Sequence, residues 1–101
     1  MIALRWTETA IGDLESIREY IRHDSPIMAQ LVTTQLYESV SLLRDYPDAG
    51  RVVPERNHPA LRELIRPPYR IVYERLPDAV EILTVFHAAR MFPPDIGPPA
   101  R

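Results

Sequence analysis

The stretch LRELIRPPYRIVYERLPDAVEILTVFH, residues 61–87, decides the fold of this chain. It contains runs rich in β-branched and aromatic residues, separated by proline-containing breakers. The runs are LRELIR (61–66), YRIVYER (69–75) and VEILTVFH (80–87), and the breakers are Pro67-Pro68 and Pro77-Asp78. Short runs of this kind, so closely spaced, are typical of antiparallel strands joined by tight turns. The stretch therefore predicts a three-stranded antiparallel meander. Its last strand is apolar on both faces, which favours a central or well-covered position.

The residues before this stretch predict a strand and then a helix. IALRW (2–6) reads as a short strand. Thr7 is a suitable N-cap, because its hydroxyl can accept a hydrogen bond from the first helical turn. Four apolar residues then recur at helical spacing: Ala10, Leu14, Ile17 and Ile21. This pattern predicts an amphipathic helix that stops at Asp24.

A second helix is predicted to begin at Ser25-Pro26, with serine as the cap and proline at the first helical position. Its apolar stripe consists of Ala29, Val32, Leu36, Val40 and Leu43. The stripe ends before Pro47, and residues 51–60 contain two prolines and Asn57, which indicates a loop. Because so few residues join the two helices, they are expected to pack as an antiparallel hairpin.

The order strand, two helices, three strands predicts an α+β fold. At 101 residues the chain should form one domain, which we place at residues 1–92. Residues 93–101 contain four prolines, too many for a helix or a paired strand. We therefore expect an extended, Pro-rich and partly disordered tail there.

The composition excludes several kinds of chemistry. There is no cysteine, and three scattered histidines do not form a metal site, so neither a metal nor another cofactor is expected. All 12 cationic residues are arginine, which binds anions well but is a poor general base. Residues 51–101 hold 8 arginines against 6 acids, whereas residues 1–50 hold 4 against 8. No run has the length of a membrane helix or a secretory signal, which favours a cytoplasmic protein without membrane contact.

Several motifs together resemble the RelE/ParE toxin superfamily of bacterial type II toxin–antitoxin modules. They are WTETAIGDLESIREYI, the YPDAGR turn, REL, YRIVY and the final H-x-x-R, and they span about residues 4–92. The resemblance implies a toxin that is neutralised by a cognate antitoxin. It also implies that the antitoxin has a DNA-binding start and that operator DNA is bound only through it.

The two branches of this superfamily imply different activities. RelE-like members are mRNA interferases, and ParE-like members share the fold but poison DNA gyrase. The nuclease pattern has two arginines that match Arg70 and Arg90. Its two lysines, however, align with Leu61 and Glu63, and its C-terminal tyrosine aligns with Ile96. Cleavage of RNA needs one group that accepts a proton and others that stabilise negative charge. Of the residues in the nuclease pattern, this chain keeps only the arginines that could stabilise the charge. The ParE-like branch is therefore favoured, with gyrase as the target and a ParD-like antitoxin that begins with a ribbon-helix-helix domain.

A nuclease activity remains the alternative. The YoeB-like toxins use a histidine near the chain end, and His87 lies close to that place. Those toxins end in a His-Tyr pair, whereas Ala88 follows here. In this alternative His87, Arg70 and Arg90 would be catalytic. A third interpretation is a decayed module whose toxin no longer harms the cell.

Candidate binding residues follow from these patterns. The expected target-binding residues are Arg62, Arg70, His87 and Arg90, which form a basic rim. The expected antitoxin-binding residues are Leu14, Ile17, Ile21, Leu36 and Val40, on the helical hairpin. Two further interpretations stay open: Arg70 could pair across the sheet with Glu63 or Glu81, and Arg62 and Arg66 could form a solvated face of their strand.

Overall fold

The structure, a computed structural model, describes residues 2–97 and has an α+β architecture, as predicted. In chain order the elements are β1 (Ala3–Trp6), α1 (Glu8–Arg22), α2 (Pro26–Glu38), a 3₁₀ helix (Ser41–Arg44), β2 (Arg51–Val52), β3 (Leu61–Arg66), β4 (Tyr69–Arg75) and β5 (Ala79–His87). Neither helix within residues 2–97 is long and apolar enough to cross a membrane.

The strands form one mixed sheet in the order β1-β5-β4-β3-β2. The predicted meander β3-β4-β5 is confirmed, and β5 lies between β1 and β4, which accounts for its apolar character. β1 runs parallel to β5, pairing Ala3 with Ala79 through Trp6 with Ile82. The strands that come first and last along the chain are therefore direct neighbours in the sheet.

The prediction of a loop over residues 51–60 was wrong at its start, because β2 pairs with β3 as a fifth strand. Gly50 permits this pairing. Its backbone lies so close to β3 and β4 that a Cβ there would be 2.6 Å from the Glu63 carbonyl oxygen and 2.7 Å from the Tyr73 ring. The Gly50 N–H also donates to the buried Tyr73 hydroxyl at 2.9 Å. Because glycine has no Cβ, the chain can approach β3 closely enough here for β2 to pair at the sheet edge.

The helix starts agree with the sequence. Thr7 accepts from the Ala10 N–H at 3.2 Å, and Ser25 accepts from the Met28 N–H at 3.1 Å. The end of α2 was predicted too late. The Ser39 hydroxyl donates to the Leu36 carbonyl at 2.8 Å and competes with the helical pattern, so the chain continues as a 3₁₀ turn.

The sheet has two differently covered faces. The helix face packs against both helices through a buried cluster that includes Leu14, Leu36, Val40, Leu43, Leu64, Ile71, Tyr73 and Ile82. The opposite face, here called the tail face, carries the smaller cluster Val53, Leu61, Val72 and Phe86, against which Phe92 and Ile96 pack. Ile71 and Tyr73 thus lie on one face and Val72 on the other, as strand alternation requires.

The tail of the chain, up to Gly97, has neither helix nor strand, as its prolines predicted. Arg56 fastens it to the tail face. Its guanidinium lies 4.5 Å from the centre of the Phe92 ring and donates to the carbonyls of Pro93 at 3.0 Å and Ile96 at 3.2 Å. The prediction of partial disorder concerned residues 93–101, of which 98–101 lie outside the described residues.

Candidate partner-binding site

Three side chains stand in a row across the ends of β3, β4 and β5. The register pairs Arg66 with Tyr69 and Tyr69 with His87, so all three project from the same face of the sheet, the helix face. The Tyr69 and His87 rings meet edge to face, 5.8 Å apart at 77°. The row therefore forms a polar and aromatic border at one end of the sheet.

Two clefts open where the helical hairpin passes over this row. One, of about 680 Å³, lies between α1 and the end of β5, and its lining includes Ile17, Tyr20, Tyr69, His87 and Arg90. The other, of about 470 Å³, lies against α2 and is lined by Val32, Gln35, Leu36, Ser39, Arg66, Pro67, Pro68 and Tyr69. Tyr69 belongs to both clefts. We call the combined depression the Tyr69 groove.

Asp13 fixes one wall of the groove. β1 pairs with β5 only as far as Ile82, so the edge of β5 beyond that point has no strand beside it. Asp13 of α1 binds this edge where a neighbouring strand would otherwise pair. Its carboxylate accepts from the Val85 N–H at 3.0 Å and from the Thr84 hydroxyl at 2.5 Å. These bonds satisfy a backbone donor at the sheet edge and hold α1 over β5.

His87 is exposed, and its ring is held by its own turn. Nδ1 accepts from the Ala89 N–H at 3.0 Å. A neutral imidazole has one acceptor nitrogen, so this bond places the proton on Nε2 and leaves that atom as a donor. His87 in this arrangement presents a hydrogen-bond donor to the groove rather than a proton acceptor.

Arg90 lies in the turn after β5, where its N–H donates to the His87 carbonyl at 3.0 Å. Its side chain is exposed at one end of the groove. Among residues 2–97 neither Arg90 nor Arg66 forms an ion pair, in contrast to Arg70. The groove therefore has an uncompensated guanidinium in each of its two clefts.

The structure contradicts the sequence-based assignment of Arg70 to target binding or catalysis. Its side chain is buried on the tail face, and only 8% of the residue's surface is exposed. Its Nε donates to Glu63 at 2.6 Å, and its two terminal nitrogens donate to Glu55 at 2.8 and 2.7 Å. Phe86 and Phe92 pack against the guanidinium, with ring centres 5.2 and 5.4 Å away. A side chain so enclosed is available neither to a target nor to a catalytic step.

Arg70 and Glu55 each shift the pKa of the other. The hydrogen bonds from Arg70 lower the pKa of Glu55 to about 2, and those from Glu55 raise the pKa of Arg70. Glu63, only 1% exposed, also accepts from Arg51 at 2.7 Å. The alternative pairing of Arg70 with Glu63 is thus the one that occurs, and Glu55 from the preceding loop completes it.

Arg62 also lies outside the predicted rim. It pairs with Tyr73, four residues along β4 from Tyr69, which separates it from the terminal row by roughly 13 Å. Its guanidinium donates to the carbonyls of Gly50 at 2.9 Å and Pro59 at 3.1 Å. Of the predicted rim, only His87 and Arg90 come together.

The predicted antitoxin-binding stripe is mostly internal. Leu14, Leu36 and Val40 are 8%, 4% and 1% exposed, because Leu14 and Leu36 on the two helices and Val40 in the turn after α2 pack into the core cluster of the helix face. That part of the prediction was wrong, since such residues offer little surface to a partner. Ile17 and Ile21 are half-buried, and Ile17 lines the Tyr69 groove.

Sequence reasoning did not single out Arg66 or Tyr69 as groove residues. The signal for Arg66 and Tyr69 was present, because the two-residue Pro67-Pro68 connection places them directly opposite each other. Tyr20, interpreted from the sequence as core or groove lining, lines the groove and is 79% exposed. Within residues 2–97 no cluster of His, Asp or Glu side chains has an arrangement that could hold a metal ion.

Residues 4–92 match the family described as the ParE toxin of the type II toxin–antitoxin system parDE. The chain belongs to the ParE toxin family. It is 38% identical over 92 residues to a protein of Caulobacter vibrioides named toxin RelE2, an alignment that covers 90% of this chain and 100% of the relative. The family model and this relative agree that the chain is the toxin component of such a module.

Solved structures of toxins share this fold. A chain from the chromosomal ParDE system of Pseudomonas aeruginosa aligns with a TM-score of 0.71 and 26% identity, covering 86% of this ParE-family chain and 96% of its own. A chain from the toxin–antitoxin complex RelBE2 of Mycobacterium tuberculosis aligns with a TM-score of 0.55 and 24% identity, covering 85% and 96%. The second likeness concerns the fold alone. A cognate antitoxin is the partner that this membership implies.

Proposed function

We propose that this ParE-family toxin inhibits growth by binding a protein target, DNA gyrase, and that it does not cleave RNA. The observation that carries the proposal is the enclosed state of Arg70. This arginine occupies a position that resembles a catalytic one in the nuclease branch, yet two carboxylates and two phenyl rings surround it.

The neighbouring positions support the same conclusion. Leu61 and Glu63, which stand where the nuclease pattern has lysines, are 0% and 1% exposed. An RNA phosphate at this face would meet two carboxylates, and within residues 2–97 the arginines that bind them, Arg51 and Arg70, are already paired. Stabilising additional negative charge requires free donors or cations, and Arg70, beside Leu61 and Glu63, has all its side-chain nitrogens engaged by carboxylates.

The groove on the other face suits protein binding better than catalysis. His87 offers a donor, Arg90 a free guanidinium, and the side chains around them are largely apolar or aromatic. Apolar surface with a few convergent polar groups is what protein-recognition sites contain. We accordingly assign target binding to His87 and Arg90, and neutralisation to a ParD-like antitoxin that carries operator DNA binding.

The experiment compares two activities of the purified chain. We expect it to block DNA supercoiling by gyrase or to trap cleaved DNA, and to leave messenger RNA on ribosomes intact. Arg90→Glu should weaken gyrase inhibition, whereas Arg18→Glu is the matched control, because Arg18 is exposed on α1 and lies outside the groove. Ribosome-dependent cleavage of mRNA with gyrase unaffected would overturn the proposal in favour of the interferase alternative.

A further inference from the structure

The turn after β5, residues 88–91, is exposed throughout and has two large side chains at its end. Arg90 forms no ion pair within residues 2–97, and Met91, directly after it, is 92% exposed. A flexible apolar side chain beside a free guanidinium suits a protein surface that offers an apolar contact next to a carboxylate.

The start of this turn is held by backbone hydrogen bonds. The Ala88 N–H donates to the Pro68 carbonyl at 2.8 Å, which ties the turn to the connection between β3 and β4. The Ala89 N–H donates to His87 Nδ1 and the Arg90 N–H to the His87 carbonyl, each at 3.0 Å. Three successive N–H groups are thus satisfied, and the first half of the turn is held against the sheet.

The end of the turn is held on the opposite face of the sheet. Phe92 is half-buried on the tail face, where its ring meets the Phe86 ring edge to face with 5.7 Å between centres. The guanidinium groups of Arg56 and Arg70 lie 4.5 and 5.4 Å from the centre of the Phe92 ring. Two residues of chain reach roughly 7 Å, so the fixed position of Phe92 limits where Arg90 can lie.

We infer that the turn 88–91 is a preformed contact for the target, in which Met91 binds beside Arg90 and Phe92 positions both. The inference rests on the proposed function, which supplies the target. Phe92 itself stays on the tail face and acts through the turn. A contact that is fixed before binding loses less conformational freedom when the target binds, so release of Phe92 would weaken the contact without removing a contacting group.

Ile96 offers a matched comparison for Phe92. It packs against the same tail-face cluster, and its carbonyl accepts from Arg56 at 3.2 Å. It lies six residues beyond Arg90, however, and Phe92 stands between it and the turn. Ile96→Ala should therefore remove apolar contact from the tail face without releasing the turn.

The test measures the concentration of purified chain that half-inhibits DNA supercoiling by gyrase. Phe92→Ala and Arg90→Ala should each raise it about tenfold or more, and Ile96→Ala about twofold or less. The double variant of Phe92 and Arg90 should be much less impaired than the product of the two single effects, because without the guanidinium there is less for Phe92 to position. Met91→Ser should weaken inhibition severalfold with the melting temperature unchanged.

Two further measurements separate positioning from general loosening. Phe92→Tyr, which keeps the ring, should restore inhibition. Hydrogen exchange at the Ala88 and Arg90 N–H should accelerate in Phe92→Ala and not in Ile96→Ala. Thermal melts check that the variants are folded, and Phe92→Leu, which keeps an apolar side chain without the ring, replaces Phe92→Ala if the alanine variant unfolds.

The outcomes separate this inference from the proposed function. Equal weakening by Ile96→Ala and Phe92→Ala, or single effects of Phe92 and Arg90 that multiply in the double variant, would overturn the positioning role. Full inhibition by Met91→Ser would overturn the Met91 contact. If the unmodified chain does not inhibit gyrase, the proposed function and the target contact are overturned together, and the exchange of the Ala88 and Arg90 N–H still decides whether Phe92 holds the turn.

Discussion

The two faces of the sheet use the same residue type, arginine, in opposite ways. On the tail face Arg70 is buried and bound by Glu63 and Glu55. On the helix face Arg66 and Arg90 border a groove and have no ionic partner within residues 2–97. The buried arginine of the tail face is therefore paired with carboxylates of the chain itself, whereas the two arginines of the helix face can still pair with a carboxylate of a partner.

The difference shows that the location of an arginine, more than its position in a motif, decides its role. A guanidinium keeps its charge when buried and presents a fork of donors that two carboxylates can satisfy together. Arg70 meets both conditions, so it contributes to the fold. Arg90 lies in a turn beside a cleft, where a partner can supply the missing carboxylate.

The largest effect should come from breaking the tail-face network. Arg70→Ala leaves Glu63 buried without its closest cation, and we expect the free energy of unfolding to fall by about 3 to 5 kcal/mol. Urea unfolding measures the change. The double variant Arg70→Met with Glu63→Leu should regain part of the loss, because it replaces the buried pair with apolar side chains.

The control for this prediction is Arg90→Ala, whose stability should change by about 0.5 kcal/mol or less because the side chain is exposed. Equal stability of the two single variants would show that the buried, paired Arg70 contributes no more to the free energy of unfolding than the exposed Arg90.

Arg90→Ala should instead affect toxicity. Loss of a charge-assisted contact with the target corresponds to about 1.5 to 3 kcal/mol of binding energy. Growth inhibition at matched protein levels measures it, alongside His87→Gln, which keeps a donor and should be tolerated. A folded but harmless His87→Gln beside a fully toxic Arg90→Ala would instead indicate that His87 acts chemically.

Release of the tail should have a smaller effect. Arg56→Gln removes the contact with Phe92 and weakens the bonds to the Pro93 and Ile96 carbonyls, at a cost of about 1 to 2 kcal/mol. Hydrogen exchange should accelerate at the Ile96 N–H, with the amides of α1 unchanged. Equal protection of that amide in both proteins would show that Phe92 and Ile96 hold the tail without Arg56.

The smallest expected effect is a dependence of stability on pH. The pKa of Glu55 is about 2 in the folded chain, below the ordinary 4.5, because Arg70 donates to its carboxylate. A depressed folded pKa stabilises the fold fully above 4.5, and the stabilisation is lost as the pH falls through 2. Since the Glu55 side chain is 39% exposed, we expect about 1 kcal/mol or less.

This dependence can be isolated with Glu55→Gln, which removes the titrating group. Between pH 4.5 and 2 the urea midpoint of the variant should decline less than that of the unmodified chain. Identical declines would assign the acid sensitivity to other carboxylates.

Local patterns predicted the parts of the fold that depend on neighbouring residues. Thr7 and Ser25 cap the helices as expected, and the breakers delimit β3, β4 and β5. β2 was missed because two residues are too few to show a period. The parallel pairing of β1 with β5 was also missed, because it joins distant parts of the chain.

The candidate site was less predictable for the same reason. His87 and Arg90 are close in sequence, and the structure keeps them together. Arg70 was assigned from a motif, but its role depends on Glu55, which lies 15 residues away in a loop. The groove needs the helical hairpin above the sheet, which is a property of tertiary packing that residue spacing does not encode.

The adjacency of β1 and β5 also governs when the sheet can be completed during synthesis. Arg5 and Glu81, paired across these strands, are 76 residues apart. At about 5 to 20 residues per second, a ribosome needs roughly 4 to 15 s to make the intervening chain. During that interval β1 has no strand to pair with and the Tyr69 groove has no wall from β5. The five-stranded sheet and the groove that rests on it can therefore be completed only after this delay.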